Sequence, residues 1–175
     1  MNTIKYTKTM AALAAAALLC TGCSDKAAQT ASTANQTDAA AQTDTTSAKS
    51  IQEVYQEIEQ SVSLHSPQCM DDDFISNYYG IDAASLEEYV FSMSEDAAQA
   101  ETIIIMKVKN TDDLENLAAS LQTVVDEKKN EMENYIPEQF AIVEKSKVQT
   151  KDNYIWLVIS DNADAVTDII ESGLF

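Results

Sequence analysis

The period of the apolar positions changes several times along the chain, and each change marks an element. Ile51, Val54, Tyr55, Ile58 and Val62 recur at helical spacing and form one apolar stripe. Ser50 and Glu53 stand where a capping box places its hydroxyl and its carboxylate, so a helix is predicted from Ser50 that stops before Pro67. Residues 64–87 show no period. With Asp71-Asp72-Asp73 and the turn-like Tyr79-Gly80-Ile81-Asp82 they read as an irregular stretch. Glu88 to Met93 alternates as a strand with Tyr89, Phe91 and Met93 on one side, and Thr102 to Lys109 reads as a second strand. Asn110 is a helix cap, and Asp112 and Asp113 behind it suit the positive end of a helix dipole. Leu114, Leu117, Ala118, Leu121, Val124 and Val125 follow at helical spacing, with Met132 and Tyr135 extending the face up to Pro137, which ends it. Phe140 to Gln149 and Tyr154 to Ser160 read as strands joined by the turn Thr150-Lys151-Asp152-Asn153. Asp161 caps a closing helix that carries Val166, Ile169 and Ile170 and stops near Gly173.

The order α-β-β-α-β-β-α predicts an α+β fold: one domain over residues 50–175, with a four-stranded antiparallel sheet and helices packed on it. The pattern leaves strand order open.

The segment before this domain has a different character. Residues 1–9 carry Lys5 and Lys8 and no acid, and Met10 to Cys20 is continuously apolar. At ~11 residues that run suits the core of a signal peptide and falls short of the ~20 needed to span a bilayer. Thr21, Gly22 and Cys23 then resemble the lipobox of bacterial lipoproteins, with Cys20 at the position where Leu is commonest. The resemblance implies cleavage after residue 22 and a diacylglycerol thioether on Cys23, which would hold the protein on the outer face of the cell membrane through lipid. Cys20-Thr21-Gly22-Cys23 is formally a C-x-x-C pair, but redox and zinc uses of that spacing need a fold around it, and this pair ends an apolar leader. Residues 24–49 contain no Leu, Ile, Val or aromatic residue, so they cannot offset ordering entropy by burial and read as a disordered tether.

Charge narrows the range of partners. The chain has 29 Asp and Glu against 11 Lys and Arg, a net charge of −18, and every one of its cations is lysine. Without arginine, nucleic acid recognition is excluded as a role, and anionic headgroups would repel the domain itself. Membrane contact is therefore expected through the lipid alone. Beyond the leader only Cys23 and Cys69 remain, so no disulfide is expected within the domain.

The residues that carry catalytic chemistry are few. His65 is the only histidine, which excludes multi-histidine metal sites, and no G-x-S-x-G is present. His65 and Cys69 stand four apart, but Pro67 between them breaks the helix that would put both on one face, so they read as loop residues. Asp71-Asp72-Asp73 lacks the calcium-loop pattern and reads as a solvated acidic loop, as do Asp161, Asp164 and Asp168 along one helix side. No catalytic residue, metal site or cofactor is assigned.

The strands hold the most informative pattern. With Ile155, Leu157 and Ile159 toward helices, Tyr154, Trp156 and Val158 point to the opposite face, where Tyr89, Phe91, Ile103 and Ile105 can join them. That second face is either covered by a helix or used for docking, and Tyr89, Phe91, Tyr154 and Trp156 are the candidate partner-binding residues.

Tyr135-Ile136-Pro137-Glu138-Gln139, and Asp152-Asn153-Tyr154 leading into Leu157-Val158-Ile159-Ser160, resemble a family of small lipoproteins from Gram-positive anaerobes that carry a domain of unknown function, number 4358. The likeness runs from about Val54 to the end of the chain, and Asp152 stands where the family often has Gly. It implies domain limits and location and adds no catalytic residue. The expected function is a non-catalytic binding or accessory domain in the cell envelope, with a protein, peptide or glycan partner. The alternatives are a hydrolase of an envelope polymer working through paired carboxylates, or a structural, self-associating surface protein with Trp156 in a symmetric contact.

Overall fold

The computed structural model describes residues 48–175. The first helix, α1 (Ile51–Ser61), starts as its capping box requires: the Ser50 hydroxyl accepts from the Glu53 amide, and the Glu53 carboxylate accepts from the Ser50 amide at 2.8 Å. Ile51, Val54, Tyr55 and Ile58, one stripe of α1, are buried.

Residues 64–87 are more ordered than their lack of period suggested. A three-residue strand β1 (Pro67–Cys69) pairs antiparallel with the next strand, and a helix α2 (Asp72–Tyr79) follows at once. Both ends of α2 are fixed locally. The Asp71 carboxylate accepts from the Phe74 amide at 2.9 Å, and Gly80 ends the helix in the left-handed region at φ 65°, where a side chain would be strained.

β2 (Leu86–Ser94) and β3 (Thr102–Val108) lie at their expected places. Asn110 caps a short 3₁₀ turn that leads into α3 (Leu114–Met132). The expectation that Phe140 to Gln149 forms a strand is corrected: α4 (Pro137–Lys145) occupies most of it, leaving β4 (Val148–Lys151). Pro137 begins that helix instead of merely ending the previous one, because a first-turn proline has no amide to leave unpaired. β5 (Tyr154–Ile159) and α5 (Ala163–Leu174) complete the chain, and Asn162, not Asp161, occupies the cap position of α5.

The architecture is α+β, as expected, with five α-helices and a single five-stranded antiparallel sheet among the described residues, in the order β1-β2-β3-β5-β4. The expected four strands and the order α-β-β-α-β-β-α are thereby corrected. The extra elements are β1, α2 and α4.

Helices cover both faces of the sheet. Phe91, Ile104, Leu157 and their neighbours pack with Leu117, Leu121, Val124 and Val125 of α3 and with Val143 of α4. Val90, Ile105 and Trp156 pack on the other side with Val54 and Ile58 of α1 and Val166 and Ile170 of α5. This explains the uninterrupted apolar runs Ile103–Met106 and Ile155–Ile159, since a strand buried on both sides has no polar alternation to show. α1 and α5 meet closely: the Lys49 amide donates to the Gly173 carbonyl at 2.8 Å, and a Cβ on Gly173 would lie 2.6 Å from Val54 Cγ2.

Candidate functional site

Cys23, the expected lipidation site, lies outside the described residues. The four aromatic residues proposed as one docking face divide between two layers. Register decides this, because Phe91 pairs with Ile104 and Ile104 with Leu157, whereas Val90 pairs with Ile105 and Ile105 with Trp156. Phe91 is fully buried on the α3 side, stacked on Tyr79 with ring centroids 5.4 Å apart. Tyr89 is half-buried on the same side, and its hydroxyl donates to the Asp72 carboxylate. Trp156 and Tyr154 lie on the other side. Trp156 is 2 % exposed and close to Phe175, and Tyr154 meets Phe175 edge-on at 5.4 Å. Ile103, Ile105 and Val158 do share that face, as the alternation implied. The covered alternative for the second sheet face is the one observed, with α1 and α5 as its cover.

His65 and Cys69 have different partners. The Cys69 thiol lies near the Tyr55 hydroxyl and Glu59, and burial, reinforced by the Glu59 charge, pushes it above its ordinary value, away from the thiolate that nucleophilic use needs. His65 instead meets Glu101, a buried carboxylate at the start of β3. One Glu101 oxygen accepts from the His65 amide at 2.7 Å; the other accepts from the Ser160 hydroxyl at 3.2 Å and lies 3.4 Å from His65 Nδ1. The Ser94 hydroxyl closes the group by donating to the His65 carbonyl at 2.6 Å. Serine, carboxylate and histidine are thus neighbours, but the carboxylate sits between the other two. A nucleophilic triad needs the imidazole in the middle, so this arrangement clamps the chain between α1 and β1 to the ends of β3 and β5.

Ser160 leads from this clamp to a cleft of about 650 Å³ between the α4–β4 connection and the start of α5. One wall is Lys145, Ser146 and Lys147; the other is Asp161, Asn162, Asp164 and Thr167; Gln149 of β4 and Val158 of β5 lie between. Local structure explains the residues. Lys145 ends α4, where a cation suits the helix dipole, and Asp164 lies in the first turn of α5, where an anion does. Ser146 turns the chain out of α4, its hydroxyl donating to the Val143 carbonyl at 2.7 Å. The Ser160 hydroxyl also accepts from the Asn162 amide at 3.2 Å, so the acidic wall is held by the residue that donates to Glu101. The ion pairs among the described residues join Lys49 to Glu57, Lys107 to Glu87 and Lys128 to Glu131, beside the His65–Glu101 contact. None of the four charged cleft residues takes part.

Sequence reasoning passed over this cleft. Reading α4 as a strand hid the bend that brings Lys145 and Lys147 opposite Asp161, and the acids of α5 looked like a solvated face. The Glu101 clamp left only the fact of a lone glutamate ahead of a strand whose centre, Ile103–Met106, is apolar. Among the described residues no group of three or more His, Cys, Asp or Glu side chains is placed to hold a metal ion. No helix among them is long and apolar enough to cross a membrane.

The fold and cleft define a small α+β domain with helices on both sheet faces and a polar, charge-divided groove at one end. The chain belongs to the family described as "Domain of unknown function (DUF4358)", whose model matches residues 60–160. No curated protein and no solved structure matches it.

Proposed function

We propose that the chain is an extracytoplasmic lipoprotein, anchored to the cell membrane through lipid on Cys23, whose domain binds a partner or ligand of the cell envelope without chemical turnover. Lys5 and Lys8, the apolar run and Thr21-Gly22-Cys23 support the anchor. The cleft carries the binding half: it presents Lys145, Lys147, Asp161 and Asp164, which form no ion pair among the described residues. The reading as an envelope-polymer hydrolase has Asp161 and Asp164 to draw on, but both come from one wall. Paired-carboxylate hydrolysis sets its two groups on opposite sides of the scissile bond. Self-association through Trp156 loses its anchor, because that indole is buried within its own domain.

Feeding cells an alkyne-tagged fatty acid tests the anchor. The protein should be labelled and membrane-bound, and Cys23→Ala should abolish both; equal labelling of the variant would refute the assignment. A photoreactive residue replacing Gln149, activated on intact cells, tests binding. A discrete mass shift on the protein supports it, and an unshifted mass refutes a stably bound partner at the cleft.

A further inference from the structure

The cleft's two walls differ in sign, and that difference specifies a ligand. Lys145 and Lys147 face the groove from the end of α4 and the strand entry, Asp161 and Asp164 from the start of α5. The volume of about 650 Å³ lies inside the roughly 300–1,000 Å³ range of small-ligand sites. A purely anionic ligand would meet Asp161 and Asp164 as well as the lysines, and a purely cationic one would meet the reverse conflict. A ligand that carries both charges at opposite ends satisfies both walls at once. We propose that the cleft is a binding site for a small zwitterion, an amino acid or short peptide with its carboxylate toward Lys145 and Lys147 and its ammonium toward Asp161 and Asp164. Gln149, between the walls, offers an amide that can both donate to and accept from a peptide unit. The apolar lining is two branched side chains, Ile142 and Val158, and two alanines, Ala163 and Ala165, so charge and not side-chain burial sets the preference. The inference rests on the reading of the domain as a binding module.

The test uses one tripeptide, trialanine, in three forms: the free zwitterion, the N-acetylated anion and the C-amidated cation. Saturation-transfer NMR titrations are run on the full-length protein with its lipid in detergent micelles. The zwitterion should bind about tenfold more tightly than either blocked form, which corresponds to about 1.4 kcal/mol. The advantage should shrink in 1 M salt, where charges are screened within about 3 Å. In a Lys145→Gln, Lys147→Gln variant the free peptide should bind no better than its amide. In an Asp161→Asn, Asp164→Asn variant it should bind no better than its acetylated form. All four positions are on the surface, and a thermal melt verifies that each variant folds. Equal binding of the three forms overturns the proposal, as does the absence of transfer from all of them. If transfer is absent while the crosslinker at Gln149 still gives a discrete adduct, the ligand class is wrong and the binding role stands. Failure of both experiments removes the two together.

Discussion

Replacing Glu101 with alanine removes the acceptor on which three segments converge. The His65 amide loses a partner at 2.7 Å and the Ser160 hydroxyl one at 3.2 Å, while the side chain that held them is 6 % exposed. Hydrogen bonds to a charged acceptor contribute about 1.5–3 kcal/mol, and an orphaned buried donor costs about 1–3 kcal/mol. Ser160 keeps its bond with the Asn162 amide, and water can reach the half-exposed His65, so the second loss is partial. The net expectation is about 2–4 kcal/mol. Relief from burying a carboxylate does not cancel this, because the donors that compensated its desolvation remain behind without it. Glu101→Gln, which keeps one acceptor oxygen, should lose about half as much. His65→Ala keeps the backbone donor and removes only a long, half-exposed contact, so it should cost less than about 1 kcal/mol. Urea denaturation of the full-length protein, followed by Trp156 fluorescence, reads all three. A loss below about 0.5 kcal/mol in Glu101→Ala, or a larger loss in His65→Ala than in Glu101→Ala, would refute the clamp.

Three further expectations follow from local geometry. Gly173→Ala gains up to about 1 kcal/mol of helix propensity but drives a methyl into Val54, so it should destabilise by about 1–2 kcal/mol, and Val54→Ala in the same chain should recover most of that in a double-mutant cycle. Asp152 turns the β4–β5 hairpin at φ 53°, so Asp152→Gly should raise stability by about 0.5–1 kcal/mol, read as a higher melting temperature. Burial pushes the Tyr55 phenol, which donates to Ser92 at 2.7 Å, up to about 12. Below pH 10 it is neutral folded and unfolded; between 10 and 12 only the unfolded chain ionises, so stability should fall across that window, and Tyr55→Phe should flatten the fall.

The elements with a long period or two marked ends were legible in the chain. The stripe of α1 with Ser50 and Glu53, the alternation of β2 and the run of α3 appear where the pattern placed them, and the turn before β5 narrows from residues 150–153 to Asp152 and Asn153. The losses have physical reasons. β1 is three residues held by pairing with β2, from Pro67 opposite Ser94 to Cys69 opposite Ser92, a tertiary interaction that a short polar segment does not announce. α2 carried its signals, a capping Asp71 and a closing Gly80, but its one fully buried residue, Ile75, left no stripe to connect them. In α4, Phe140 to Val143 is short and apolar enough for either period, and only Pro137 at its first position favoured a helix. The aromatic face failed on register: Phe91 and Trp156 are assigned to opposite layers by a pairing through β3 that neither strand's own sequence contains. The cleft was illegible for the same reason, since residues 142–149 and 158–167 meet only in the folded domain.

The bond from the Lys49 amide to the Gly173 carbonyl means that the domain's two ends leave the fold side by side. Connectivity there is topologically cheap. A few residues joining Phe175 to Lys49 would close the backbone into a ring with little loop entropy lost, and new termini cut at Asp152–Asn153 would leave each helix whole. The same adjacency lets the domain be spliced into a surface loop of another protein without stretching its host.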